Sequence, residues 1–175
     1  LYSGSHTAYL NEGEVIGIYG RSIRWSGVVE VPSEDGFAWN VNLQSASNVG
    51  YLADMNADAQ ADLVYQALGG EVYYFINQGL AGWGPRQRMS IQDYPPPAPF
   101  GNDNVRQADI DFDKRMDIIE SISVGSGADY RIWFNLGNQT YSTRQTVAQE
   151  SGFMFSWSGV TIADLNGDRV PDMAR

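Results

Sequence analysis

The residues best suited to chemistry in this chain are carboxylates. Asp109, Asp111, Asp113 and Asp117 fall within nine residues, in ADIDFDKRMDII (108–119). Four like charges that close repel one another. The run is therefore either a site for a cation or a turn whose own backbone satisfies the oxygens. The pattern occurs twice more. Asp54, Asn56, Asp58 and Asp62 lie in ADMNADAQADLVY from residue 53, and Asp164, Asn166, Asp168 and Asp172 lie in ADLNGDRVPDMAR from residue 163. The three segments align without gaps at intervals of 55 residues, with acidic or amide residues at relative positions 1, 3, 5 and 9. Self-similarity at a fixed period is the mark of a repeat architecture.

Spacing 1, 3, 5, 9 brings several oxygens to the inside of one tight loop. A hard cation such as Ca²⁺ takes six to eight oxygens at roughly 2.3–2.6 Å. Position 7 would add a backbone carbonyl from Gln60, Arg115 or Val170. The loops resemble those of integrin-like repeats, whose pattern has Gly at position 6 for a sharp turn at positive φ; here position 6 is Ala59, Lys114 or Arg169. Gly167, at position 4 of the third loop, is expected to help little. A Lys or Arg beside the oxygens also weakens cation binding. The alternative is that Asp and Asn side chains accept from their own backbone in Asx-turns. Either role is structural, because a closed cage offers no open position for a reaction.

Other catalytic signatures are missing. His6 is the sole histidine, and it is read as a surface or strand-edge residue. Nucleophile-elbow, P-loop and dinucleotide fingerprints are absent. A glycosidase would need a pair of carboxylates, but the loop repeat accounts for them. Trp25, Trp39, Trp83, Trp133 and Trp157 either fill a core or stack on sugars. Trp133 reads as core, and Trp83, in AGWGP, is the candidate for an exposed binding role. Asn77 and Asn135, each with Gly two residues on, read as turn builders.

The elements that carry the loops read as strands. Each of the first two loops is followed by an apolar run (LVYQA or IIESI) and then by a Gly-containing turn at 68–70 or 124–127. A second β-branched and aromatic run follows, EVYYFIN or YRIWFN. Such runs bounded by Gly read as hairpins. YFINQG (74–79) and IWFNLG (132–137) share an apolar-Asn-x-Gly motif, and AYLNEG (8–13) has it with no Asp loop ahead. Residues 14–50 are least regular, with strand-like VIGIYG, RWSGVVEV and FAWNVNL. DYPPPAPFGND (93–103) cannot join a ladder, because Pro lacks the donor, and reads as an extended connector. The expected fold is all-β: a partial β-propeller of about three blades, incomplete at both ends. Residues 1–50 would form a partial blade with an irregular insertion, 51–105 and 106–160 two blades, and 161–175 the start of the next.

Composition bounds the partners. Eleven basic against 21 acidic residues give a net charge of −10, which argues against nucleic acid or an anionic membrane. There is no cysteine, so stability cannot come from disulfides. No apolar window is long enough to span a membrane. The opening Leu1-Tyr2 is read as the start of a segment within something larger.

Four stretches together, PPPAPFG, VRQADIDFDKRMDII, YRIWFNLGNQTYS and VTIADLNGDRVPDMAR, resemble the middle and N-terminal region of insecticidal toxin complex (Tc) B components. Related Rhs-type and virulence-plasmid-type toxins share this region. The Asp loops resemble those of integrin-like FG-GAP or VCBS repeats. The resemblance implies a secreted bacterial toxin in which B and C components enclose a toxic fragment. A B-component propeller closes the shell and docks on the pentameric A component. It also implies structural Ca²⁺ in the loops and no catalysis. The rival expectation is a calcium-dependent adhesion or carbohydrate-binding propeller.

Overall fold

The structure is a computed structural model that describes residues 6–17, 20–34, 38, 41, 50–93, 95–149, 152–168 and 171–175. It is all-β, built from several antiparallel sheets, none of them closed. Strands β1 (His6–Gly17) and β2 (Gly20–Val31) form a long hairpin with register shifts between Tyr9 and Gly13. Sheet I is a four-stranded meander of β3 (Gly50–Ala53), β4 (Asp62–Gln66), β5 (Val72–Phe75) and β6 (Gln87–Arg88). After it come β7 (Ser90–Ile91) and a strand-free connector. Sheet II repeats the meander with β8 (Val105–Ala108), β9 (Asp117–Val124), β10 (Gly127–Trp133) and β12 (Gln145–Val147). Between its last two strands, β11 (Thr140–Tyr141) pairs in parallel with β7. A two-stranded sheet of β13 (Thr161–Ala163) and β14 (Asp172–Ala174) ends the described chain. Of the expected strand segments, FAWNVNL, with Trp39, lies almost wholly outside the described residues.

Successive side chains on a strand point to opposite faces, and here both faces find partners. On β4, Val64 faces a cluster with Val72, Tyr74, Val105, Ile118 and Trp133, which fills the space between sheets I and II. Its neighbours Leu63 and Tyr65 join Phe75, Trp83, Ala38 and Val41 on the other face of sheet I, with Val31 packed beside them. Sheet II is sandwiched in the same way. Ile119, Tyr130 and Ile132 pack on Phe155, with Ile162 and Met173 of the last hairpin against them. Burial on both faces explains why Leu63–Tyr65 and Ile118–Ile119 read as unbroken apolar runs despite antiparallel pairing. Trp133 is fully buried, as expected.

The proline-rich connector joins no ladder, as its composition requires. It is stitched to sheet I by Gln66, a buried amide at the end of β4. The Gln66 Oε1 accepts from the Phe100 N–H at 2.8 Å, and its Nε2 donates to the Gly70 and Pro97 carbonyls. The Tyr51 hydroxyl donates to the Phe100 carbonyl at 2.6 Å.

Candidate functional site

The three Asp loops occupy one structural position. Each links the first strand of its sheet to the second: β3 to β4, β8 to β9 and β13 to β14. The first two are adjacent, because the Met116 N–H donates to the Asp54 carbonyl at 2.9 Å and the Asn135 amide donates to the Met55 carbonyl at 3.1 Å.

Position 9 acts as a latch. Asp62 and Asp117 are fully buried. In every loop one oxygen accepts the N–H of position 2: Met55 to Asp62, Ile110 to Asp117, and Leu165 to Asp172, at 2.8–3.0 Å. In sheets I and II the other oxygen accepts from the end of the third strand, from the Asn77 and Asn135 N–H groups at 2.8 Å each. Each Asn then turns the chain, its Oδ1 accepting the N–H of the Gly two residues on. The apolar-Asn-x-Gly motif is thus the receiving half of the latch. Burial pushes the Asp62 carboxyl up to about 6, against the N–H groups of Asn77 and Met55, which favour ionisation. Burial likewise pushes Asp117 up to about 7, against the N–H groups of Asn135 and Ile110, and the charges of Asp111 and Asp113 add to the rise.

The backbone turns where Gly was missed, and at one place more. Position 6 is left-handed without Gly, with φ of 66° at Ala59 and 71° at Lys114. Position 4 is left-handed too: Ala57 at 66°, Phe112 at 70° and Gly167 at 82°. The expectation that Gly167 contributes little is therefore corrected. It stands where the loop needs positive φ, which costs a residue with a Cβ about 1–2 kcal/mol. Arg169 and Val170 lie outside the described residues.

All three loops form Asx-turns, in the second through the Lys114 N–H on Asp109, the Asp113 N–H on Asp111 and the Arg115 N–H on Asp113; the loops differ in the oxygens left over. In the first, Asp54 accepts from the N–H groups of Asn56, Ala57, Asp58 and Ala59. Asp58 is held by the Asn56 amide and the Gln60 N–H. The third loop follows the same pattern, with Gly167 N–H on Asp164 and the Asn166 amide on Asp168. These oxygens behave as Asx-turns. In the second loop, Asp109, Asp111 and Asp117 bring ligand oxygens within 4.8 Å of one another. Two oxygens on one Ca²⁺ can stand no more than about 5 Å apart at bond lengths of 2.3–2.6 Å, so the three fit a shared cation. The Asp109 Oδ1 is also buried with no hydrogen-bond partner, as a metal ligand would be. Asp113 is not brought into this cluster. The Arg115 guanidinium pairs with it and also donates through Nε to the Asn135 carbonyl.

The expectation of an exposed binding role for Trp83 is corrected, because it is packed into the core beside sheet I. Trp83 is buried, and its indole N–H donates to the His6 Nδ1 at 3.1 Å. His6 lies on β1, and its Nε2 is 2.9 Å from the Val41 carbonyl. No protein-family model matches the chain, and no curated protein matches it.

Proposed function

We propose that this chain is a non-catalytic scaffold: part of a β-propeller in the B component of a Tc-type secreted toxin. In that role it helps to close the shell formed with the C component and to dock on the pentameric A component. The observation that supports the reading is the placement of the three Asp loops. They open successive face-to-face sheets at one structural position, as blades of a single propeller would require. Sheets I and II are four-stranded meanders of the blade type. The loop carboxylates are engaged within their own loops, by backbone N–H groups, by the Asn56 and Asn166 amides or by Arg115. The 109–117 loop is the site for structural Ca²⁺, held by Asp109, Asp111 and Asp117.

A pull-down of the chain, within its B component, by A and C components tests the assembly role. Capture by both is expected. Failure to bind either, together with chelator-sensitive retention on a glycan array, would replace this reading with a calcium-dependent carbohydrate-binding propeller.

A further inference from the structure

Asn166 is the one Asn in the chain followed directly by Gly. Such a pair is chemically labile, because Gly has no side chain to shield its nitrogen from the Asn amide carbon. The two residues stand at positions 3 and 4 of the third Asp loop, and both are exposed. A Cβ added at Gly167 would meet nothing within 4 Å, so the backbone is open on that side. The loop sets polar groups around the two atoms that would join. The Gly167 N–H donates to the Asp164 Oδ1 at 2.7 Å. The Asn166 Oδ1 accepts from the Asp168 N–H at 2.8 Å, and its Nδ2 donates to the Asp168 Oδ2 at 2.9 Å. A carboxylate thus holds the proton of the nucleophile, and a backbone N–H stands where charge would develop on the amide oxygen.

We propose that Asn166 is an intrinsic deamidation site, with Asp164 as the general base and the Asp168 N–H as the oxyanion donor. The Gly167 nitrogen forms a bond to the Asn166 Cγ as its proton passes to Asp164. The Cγ–Nδ2 bond then breaks, the carbonyl re-forms, and the side-chain nitrogen leaves as ammonia with the proton returned by Asp164. Water opens the cyclic imide at either carbonyl, giving aspartate or isoaspartate at 166. The first loop is an internal control. The same three bonds surround Asn56, at 2.7, 3.0 and 3.0 Å, but Ala57 stands in place of Gly167, and its Cβ obstructs ring closure. In the second loop the position is already a carboxylate, Asp111. Either product alters the third loop. It removes the amide donor to Asp168 and adds a negative charge beside Asp164 and Asp168. Isoaspartate also lengthens the backbone between them by one methylene. The loop of the β13–β14 hairpin therefore changes charge and shape as the chain ages. The reaction depends on this loop alone and not on the toxin assignment.

The test holds the folded chain at pH 6, 7 and 8 in chelator and follows conversion by peptide mass spectrometry, with enzymatic methylation to count isoaspartate. Asn166 should convert faster in the folded chain than in a synthetic peptide of residues 160–172, while Asn56 stays intact. Asp164→Asn keeps an acceptor for the Gly167 N–H but supplies no base. It should slow conversion about 10²-fold and make the rate rise with hydroxide, as in the peptide, whereas the parent's rate should vary little across that range. Gly167→Ala should abolish conversion and keep the fold, because Ala57 occupies the same left-handed position in the first loop. A parent rate at or below that of the peptide would overturn the proposal. So would an Asp164→Asn variant with the parent's rate and pH profile, or equal conversion at Asn56. None of these outcomes involves the A and C components, so failure of this reading is told from failure of the assembly role.

Discussion

Removing the latch Asp of sheet II separates its two conceivable roles, since Asp117→Ala deletes the acceptor for the Ile110 and Asn135 N–H groups. Each buried N–H left without a partner costs about 1–3 kcal/mol, so the loss is about 2–6 kcal/mol. Asp117→Asn keeps one acceptor oxygen and should cost about half as much. The comparison belongs at pH 5 in chelator. There the folded-state carboxyl, with its value raised from 3.8 to about 7, is neutral, and relief of a buried charge does not offset the loss. For a chain of this size about 1 kcal/mol shifts Tm by roughly 2–4 °C, so Asp117→Ala should lower Tm on the order of 10 °C. Because the folded value lies above the unfolded one, the parent's contribution from this group is full below about pH 4 and fades as pH rises through about 7. In chelator the parent should therefore lose stability across that window, and Asp117→Asn should lose less of it. Chemical denaturation at pH 5 and pH 8, with and without Ca²⁺, reads all of this. Asp117→Ala within about 0.5 kcal/mol of the parent at pH 5 in chelator, with a deficit only when Ca²⁺ is present, would refute the latch and leave a ligand alone.

Saturating Ca²⁺ at 100 times Kd should add about 2.7 kcal/mol for one site, and Asp111→Ala should abolish that gain while slightly stabilising the metal-free chain; calorimetric melts with Ca²⁺ or chelator check both. Lys114→Gly should relieve a left-handed strain of about 1–2 kcal/mol at an entropy cost of about 0.5–1 kcal/mol. It should therefore stabilise modestly and tighten Ca²⁺ binding, by urea melts and titration calorimetry; a loss of stability would contradict the positive-φ assignment. Gln66→Leu should orphan the Phe100 N–H at about 1–3 kcal/mol and speed protease cutting in residues 93–103, as mass spectrometry of the fragments would show.

What could be read beforehand was whatever repeats locally. The 55-residue interval placed the three loops, and Gly between β-branched runs placed the hairpins at 68–70 and 124–127. Trp133, within such a run, was legibly core. The double role of position 9 was not, because spacing alone does not say whether a carboxylate aims at a cation or at N–H groups 15 and 18 residues further on, at Asn77 and Asn135. The left-handed turn at position 4 was hidden by Ala57 and Phe112, which give no sign of positive φ. Asp113 counted as a ligand by spacing, but Arg115, two residues on, takes it by a contact that spacing does not reveal. The parallel pairing of β7 with β11 joins residues 50 apart, beyond the reach of local pattern.

Gln66 has a mechanical consequence. Its amide fastens the outgoing chain to the sheet it has just left, so the connector between the two meanders is anchored at its sheet I end. Because Phe100 of the same strap is buried in the cluster between the meanders, load applied along the chain should be borne by that amide and the apolar seam together.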